Sequence, residues 1–299
     1  MNWKRLRKAG VAALAFALIF SLLPAVAFAD AVVGETVVTL GADLTPQQRD
    51  AILKEMNVDR NVQIVEVTNE EEHRYLGKYV SKATIGTRAL SSAKITLAEK
   101  GAGITVKTNN ITHITETMYA NALITAGVKD AEVYVTAPTQ VSGTAGLTGI
   151  LKAFETATDT KISDEQKEVA NEEMVRTSEL GEKIGDPDKA AQFMMDLKQR
   201  LAEEKPETPE EFRNLIINVS NEYNINLSNQ DIEQLTQLLQ RLSELNIDWG
   251  ALSDQVKKLR DNLDEILNSD ETKGFLETLL DWLASLLDAL KQIFSSESA

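Results

Sequence analysis

Two stretches of this chain repeat one order of elements and superpose without a gap over their helices, and that shared order restricts the fold more than any single motif does. Val37 to Thr68 reads as a strand, Leu44-Thr45, a helix, Asn57-Val58, and a strand closing on Val65-Glu66-Val67-Thr68. Ile104 to Thr136 reads as a strand, Ile114-Thr115, a helix, Gly127-Val128, and a strand closing on Val133-Tyr134-Val135-Thr136. In both, thirteen positions separate the threonine from the valine that follows the helix. A helix between two strands returns the chain to the start of a parallel neighbour, so each stretch reads as a βαβ-like unit. A further helix follows each, and the shared order predicts one mixed sheet with right-handed crossovers.

Local signals fill in the rest of the first half. Thr36–Leu40 is a β-run, and Thr45-Pro46-Gln47-Gln48 is a capping box with proline at the first helical position, opening a helix to about Met56. Val62–Val67 alternates as a strand, and Asn69-Glu70-Glu71-Glu72 caps a helix through Tyr75, Leu76 and Tyr79. Ser92–Ala98 and Ile104–Lys107 flank Glu99-Lys100-Gly101-Ala102-Gly103, which reads as a hairpin. A helix from about Ile111 to Ala126 stops at Gly127, and Ala131–Thr136 is the fifth strand.

The second half changes period. Capping boxes stand at Ser163-Asp164-Glu165-Gln166 and Thr208-Pro209-Glu210-Glu211, with further helix starts at Asp186-Pro187 and Ser228. Apolar residues recur at helical spacing in Ile232, Leu235, Leu238, Leu239, Leu242 and Leu245, and again from Leu252 to Leu267. The expected architecture is α+β: an N-terminal mixed α/β sheet domain over 30–145, then an all-α helical domain over 146–299, with a break at 203–209.

Residues 1–29 say where such a chain works. Lys4, Arg5, Arg7 and Lys8 form a basic start, an apolar run spans Val11 to Val26, and Ala27-Phe28-Ala29 offers a cleavage pattern just before Asp30. The expectation is a cleaved signal peptide and a secreted, extracellular or envelope-associated product. The chain has no cysteine, which removes disulfides, thiol catalysis and lipoprotein anchoring together. No stable membrane anchor is expected after cleavage. The part beyond Ala29 carries 27 basic and 46 acidic residues, net −19, and residues 141–299 hold 16 and 32 of them. Such a surface repels nucleic acid, anionic lipid and anionic wall polymers, so no nucleic-acid partner is expected.

Few residues can carry chemistry. The two histidines, His73 and His113, lack metal-ligand spacing, and no metal or cofactor is expected. His113 reads as lying in the first turn of a helix. Ser142, His113 and Asp43 all follow predicted strands, so a hydrolase triad can be drawn from them, although no Gly-x-Ser-x-Gly elbow is present. The run from Pro138 to Gly149 spaces Gly143, Gly146 and Gly149 three apart. On a helix these make a flat strip for close packing, with Ser142 or Thr144 as the N-cap. The alternative is a polar-ligand site built from Ser142, Gly143 and Thr144 at a helix start. Arg88, in Ile85–Ser92, and Asn109-Asn110 are further ligand-binding candidates, Arg88 being the only guanidinium in these polar clusters. The C-terminal stretch Leu276–Phe294 is amphipathic with an acidic polar face, which suits packing, a partner helix or self-association better than lipid.

The strings Val141–Gly149, Leu44–Gln48 and Met118–Gly127, with Asn69–His73 and Leu90–Ala93, resemble as a set the YpuA-like family of exported Gram-positive proteins, a domain of unknown function. The resemblance covers most of residues 30–270. Gly146 departs from it, where a second alanine is expected. It implies an exported envelope protein and carries no catalytic or cofactor residues. The expected function is therefore a non-catalytic binding or interaction module, for an envelope protein or a polar wall ligand. The alternatives are an extracellular hydrolase using Ser142, His113 and Asp43, and an envelope chaperone or protease inhibitor.

Overall fold

The computed structural model describes residues 32–59 and 61–268. The signal-sequence reading of 1–29 and the amphipathic stretch Leu276–Phe294 lie outside the described residues. No helix among the described residues is long and apolar enough to cross a membrane.

The N-terminal half is one mixed sheet with helices, and the rest is a run of helices, as the sequence predicts. The strands are β1 (Thr36–Gly41), β2 (Gln63–Val67), β3 (Ser92–Leu97), β4 (Ile104–Ile111) and β5 (Ala131–Val141). Their order is β2-β1-β3-β5-β4. The pairs β1–β2 and β4–β5 are parallel, and β3 runs antiparallel between them, pairing with β1 on one side and β5 on the other. The two βαβ-like units are thus two parallel pairs joined by one antiparallel strand.

The expected hairpin between β3 and β4 does not form, because β5 lies between them. The reason is burial. Ala131, Val133 and Val135 are all buried, so β5 needs apolar neighbours on both sides, and Ile95 and Val106 flank Val133 in register. The 98–103 turn closes on Asp130 instead of on itself: Ala98 donates to the Asp130 carbonyl, and Gly103 N–H to the Asp130 carboxylate at 2.8 Å.

Helix α1 (Pro46–Glu55) spans the first unit, with the Thr45–Gln48 capping box formed, and α4 (Glu116–Thr125) spans the second. Between them come α2 (Asn69–Leu76) and the short α3 (Lys82–Ile85). Both crossovers step the same way along the sheet, yet α1 packs on Val38 and Leu40 whereas α4 packs on the opposite face, with Val106, Val133 and Val135. The two crossovers are therefore of opposite hand, contrary to the expectation that both are right-handed. Every residue of α4 from Thr117 to Thr125 is buried, so this helix must lie on the face that the helical half covers. In α1 only Ile52 is buried, and it needs no second layer.

Helix starts differ by a few residues from expectation. Thr68, not Asn69, caps α2, with Glu71 completing the box. The edge strand β4 runs on to Ile111, and Thr115 caps α4, so His113 precedes the helix. Helix α5 (Gly146–Thr158) begins after Ala145, which makes no side-chain cap, so neither Ser142 nor Thr144 is the N-cap. It lies flat on the sheet: a methyl group at Gly149 would stand 2.9 Å from Thr39 Oγ1, and one at Gly146 would stand 2.5 Å from the Tyr119 hydroxyl.

The remaining helices are α6 (Asp164–Ile184), α7 (Pro187–Glu204), α8 (Pro209–Glu222), α9 (Asn229–Glu244) and α10 (Trp249–Asn268). The largest core cluster joins the inner sheet face to α4, α5, α6, α7 and α10, through residues such as Ile95, Leu123, Ile150, Met174, Met195 and Val256. A second core of Phe193, Leu197, Ile216, Leu238 and Leu239 holds α7, α8 and α9 together. Among the described residues the outer sheet face is covered only in part, by Ile52 of α1 and Met56 at its end over Val38 and Leu40.

Candidate functional site: the open face of the sheet

In a strand, alternate residues share a face, and the strand registers sort the outer face into rows. One row runs Thr36, Thr96, Glu132, Thr105 across β1, β3, β5 and β4. The next runs Val38, Lys94, Tyr134, Lys107. Helix α1 and the turn after it cover the β1 end of the second row. The first row and both lysines line two hollows, of about 400 and 340 Å³, that meet at Asn57, Lys94 and Thr96. Together they make a polar trough across the strands.

Its wall is a hydrogen-bonded cluster around Glu55. Oε1 of Glu55 accepts from Tyr134 (2.7 Å), Thr136 (2.8 Å) and Asn109 (2.9 Å). Burial pushes the Glu55 carboxyl up, but these three donors more than offset it and hold the group below the usual carboxylate range. The Tyr134 hydroxyl is pushed up to about 12 by burial, by its bond to Glu55 and by that carboxylate's charge. Lys94 Nζ donates to the Met56 carbonyl at 2.8 Å, at the C-terminal end of α1, where a cation is favourable. The Thr36 and Thr96 hydroxyls are 2.9 Å apart. No carboxylate pairs with Lys107 among the described residues, and it stands exposed at the β4 edge.

Of the residues singled out in the sequence, Asn109 is brought to this wall by its bond to Glu55. Asn110 takes a positive φ of 60° at the β4 irregularity and donates to the Ala137 carbonyl at 2.8 Å. Ser142, Gly143 and Thr144 gather instead beside His113. His113 N–H donates to the Ser142 carbonyl at 3.1 Å, the Ser142 and Thr144 hydroxyls are 3.3 Å apart, and the Tyr119 hydroxyl donates to the Gly143 carbonyl at 2.5 Å. The side chains of Ser142, His113 and Asp43 make no hydrogen bond to one another. His113 Nδ1 is 2.8 Å from the Thr112 hydroxyl and its Nε2 is 3.7 Å from Glu182, while Asp43 accepts the Ala89 N–H at 2.7 Å. Arg88, beside Ala89, is exposed.

Asp43 also faces the buried Glu72, to which Asn69 donates at 3.0 Å. Burial, with the charges of Asp43 and Glu71, pushes the Glu72 carboxyl up to about 7 against the Asn69 bond. Among the described residues no group of three or more His, Asp or Glu is placed to hold a metal ion.

The trough residues Lys94, Thr96, Thr105, Lys107, Glu132 and Tyr134 carry none of the motif signals that drew attention to the glycine-rich run. Their signal is periodicity. Lys94-x-Thr96, Thr105-x-Lys107-x-Asn109 and Glu132-x-Tyr134-x-Thr136 each place a polar residue at every second strand position, which marks one uncovered polar face.

Comparison with known proteins gives a consistent picture. Residues 40–259 match the family described as "Protein of unknown function (DUF1002)". A Bacillus subtilis (strain 168) relative, "Uncharacterized protein YpuA", is 45% identical over 290 residues, which is 97% of this chain and 100% of the relative. No solved structure matches the chain.

Proposed function

This chain belongs to the DUF1002 family of proteins of unknown function, and from that premise we propose an exported, envelope-associated binding protein that recognises its ligand without catalysis. The observation that carries the reading is the trough: a hollow of about 400 Å³, in the size range of small-ligand sites, lined by Lys94, Thr96, Thr105, Lys107, Glu132 and Tyr134. Its groups can donate and accept hydrogen bonds, and where hydroxyls do meet a carboxylate, those of Tyr134 and Thr136 on Glu55, the bonds hold that carboxyl below its usual range and make it a weak base. The bonding of Ser142, His113 and Asp43 to other partners supports the non-catalytic reading. Export rests on the basic start, apolar run and Ala27-Phe28-Ala29 of the first 29 residues. On this reading the sheet half, 30–145, carries recognition, and the acidic helical half, 146–299, extends or self-associates.

The test is to express the full chain in a Gram-positive host and to fractionate the cells. The expected product starts at Asp30, is retained with the envelope, and is released into the medium when Lys107 is replaced by alanine. A product that keeps Met1 in the cytoplasm would refute export. Retention indifferent to Lys107→Ala and Thr105→Val would refute the trough as the binding surface.

A further inference from the structure

We propose that the trough takes an uncharged oligosaccharide lying across the strands, an assignment of ligand class that rests on the binding reading above. Shape is the first argument. The two hollows share Asn57, Lys94 and Thr96 and extend from Asn61 and Val62 beside β2 to Thr105 and Lys107 on β4. At the spacing of neighbouring strands, this five-strand sheet is roughly 19 Å across between its edge strands, so the occupant is an extended chain and not a compact metabolite.

Chemistry is the second argument. The floor presents hydroxyls from Thr36 on β1, Thr96 on β3 and Thr105 on β4, with Glu132 of β5 between the last two, so groups that donate and accept recur along its length. Ammonium donors (Lys94, Lys107) and a carboxylate acceptor (Glu132) stand between and beside them. A chain of linked rings with several hydroxyls each offers the matching donors and acceptors. An acyl chain or an apolar peptide would leave these polar groups buried without partners.

Charge decides between neutral and acidic chains. The two lysines are matched inside the trough by Glu55, Glu132 and Asp59, and the whole chain carries a net charge of −15. No cationic surplus remains to draw a polyanion, so uronate-rich or phosphate-linked polymers are disfavoured.

The test measures binding of the chain beginning at Asp30 to cellotetraose and tetra-N-acetylchitotetraose as neutral probes, and to tetragalacturonate as the acidic one. At least one neutral probe is expected to bind, tetragalacturonate more weakly, and Thr105→Val and Lys107→Met each to weaken binding by about tenfold. Both positions are exposed on the edge strand. As a check that needs no variant, titration of the unsubstituted protein should move the amide resonances of Thr96, Thr105 and Glu132. Preference for tetragalacturonate, or no binding of either neutral probe, overturns the assignment. Envelope retention that depends on Lys107 while neither neutral probe binds would overturn the ligand class alone. Retention that ignores the trough would overturn the binding reading with it.

Discussion

The ammonium of Lys198 stands 2.9 Å from Oε1 of Glu173, in a part of the interior that neither side chain shares with solvent. Lys198 also donates to the Asn121 carbonyl at 2.7 Å and to the Thr125 hydroxyl at 3.0 Å, and that hydroxyl bonds the other Glu173 oxygen. Burial pushes Lys198 down and Glu173 up, and the opposite charge of each draws the other back. The pair ties α6 to α7 against α4. Lys198→Met leaves a carboxylate buried without its partner and should cost about 3–5 kcal/mol. The double variant Lys198→Met/Glu173→Leu should recover much of that loss. Urea unfolding of the single and double variants measures both, and a single variant within about 1 kcal/mol of the parent would show that the pair is not closed in solution.

Glu72 gives the chain a pH dependence of a definite sign. Its carboxyl lies near 7 in the folded protein against an ordinary 4.5, raised by burial and by the neighbouring Asp43 and Glu71 charges. Between those values the folded state binds a proton that the unfolded state has released. The contribution is therefore complete below about 4.5 and is lost as pH rises through 7. Glu72→Gln keeps an acceptor for Asn69 and removes the charge. It should stabilise the protein at pH 8 by about 1–3 kcal/mol and flatten the slope between pH 4.5 and 7. Thermal melts across that range test it, and an unchanged slope would mean that Glu72 is solvated.

Gly146 stands where the family resemblance leads one to expect alanine, and the local packing explains why this chain keeps glycine. A methyl group there would sit 2.5 Å from the Tyr119 hydroxyl and 3.1 Å from Val135 Cγ1. Gly146→Ala should destabilise by about 1–3 kcal/mol through overpacking. In a Tyr119→Phe background, which removes that oxygen, the same change should cost measurably less. Additive costs in chemical denaturation would place the conflict elsewhere than at Tyr119.

What could be read from the sequence follows the range of the interactions. Capping boxes at Thr45, Ser163 and Thr208 involve residues three apart and each forms, and the helix start expected at Ser228 proves to be a box with Asp231. The strand–helix–strand order of both units is equally local, and both units exist. The placement of β5 between β3 and β4 is not local. It depends on Val133 finding Ile95 on one side and Val106 on the other, and turn composition at 99–103 carries no information about that. The hand of each crossover likewise depends on which sheet face the later helices cover. The trough was hidden for a related reason: Lys94, Lys107 and Glu132 become neighbours only through strand register. Asn109 alone among the expected ligand-binding residues joins that wall, because it shares a strand face with Lys107.

The wall of the trough depends on the three donors that hold Glu55. Tyr134→Phe deletes one of the three donors on Oε1 of Glu55 while leaving Thr136 and Asn109 in place. A carboxyl held down by fewer donors titrates higher, so the Glu55 pKa should rise toward its ordinary value of 4.5. For a depressed carboxyl, stability is present above the unfolded value and is lost as pH falls through the folded one. The acid-side loss from Glu55 starts near the unfolded value in both proteins, and should be smaller and complete at a higher pH in the variant. A carbon-13 titration of the Glu55 carboxyl in both proteins reads the shift directly. If the two curves coincide, the phenol does not hold Glu55 in solution, and the wall of the trough rests on Thr136 and Asn109 alone.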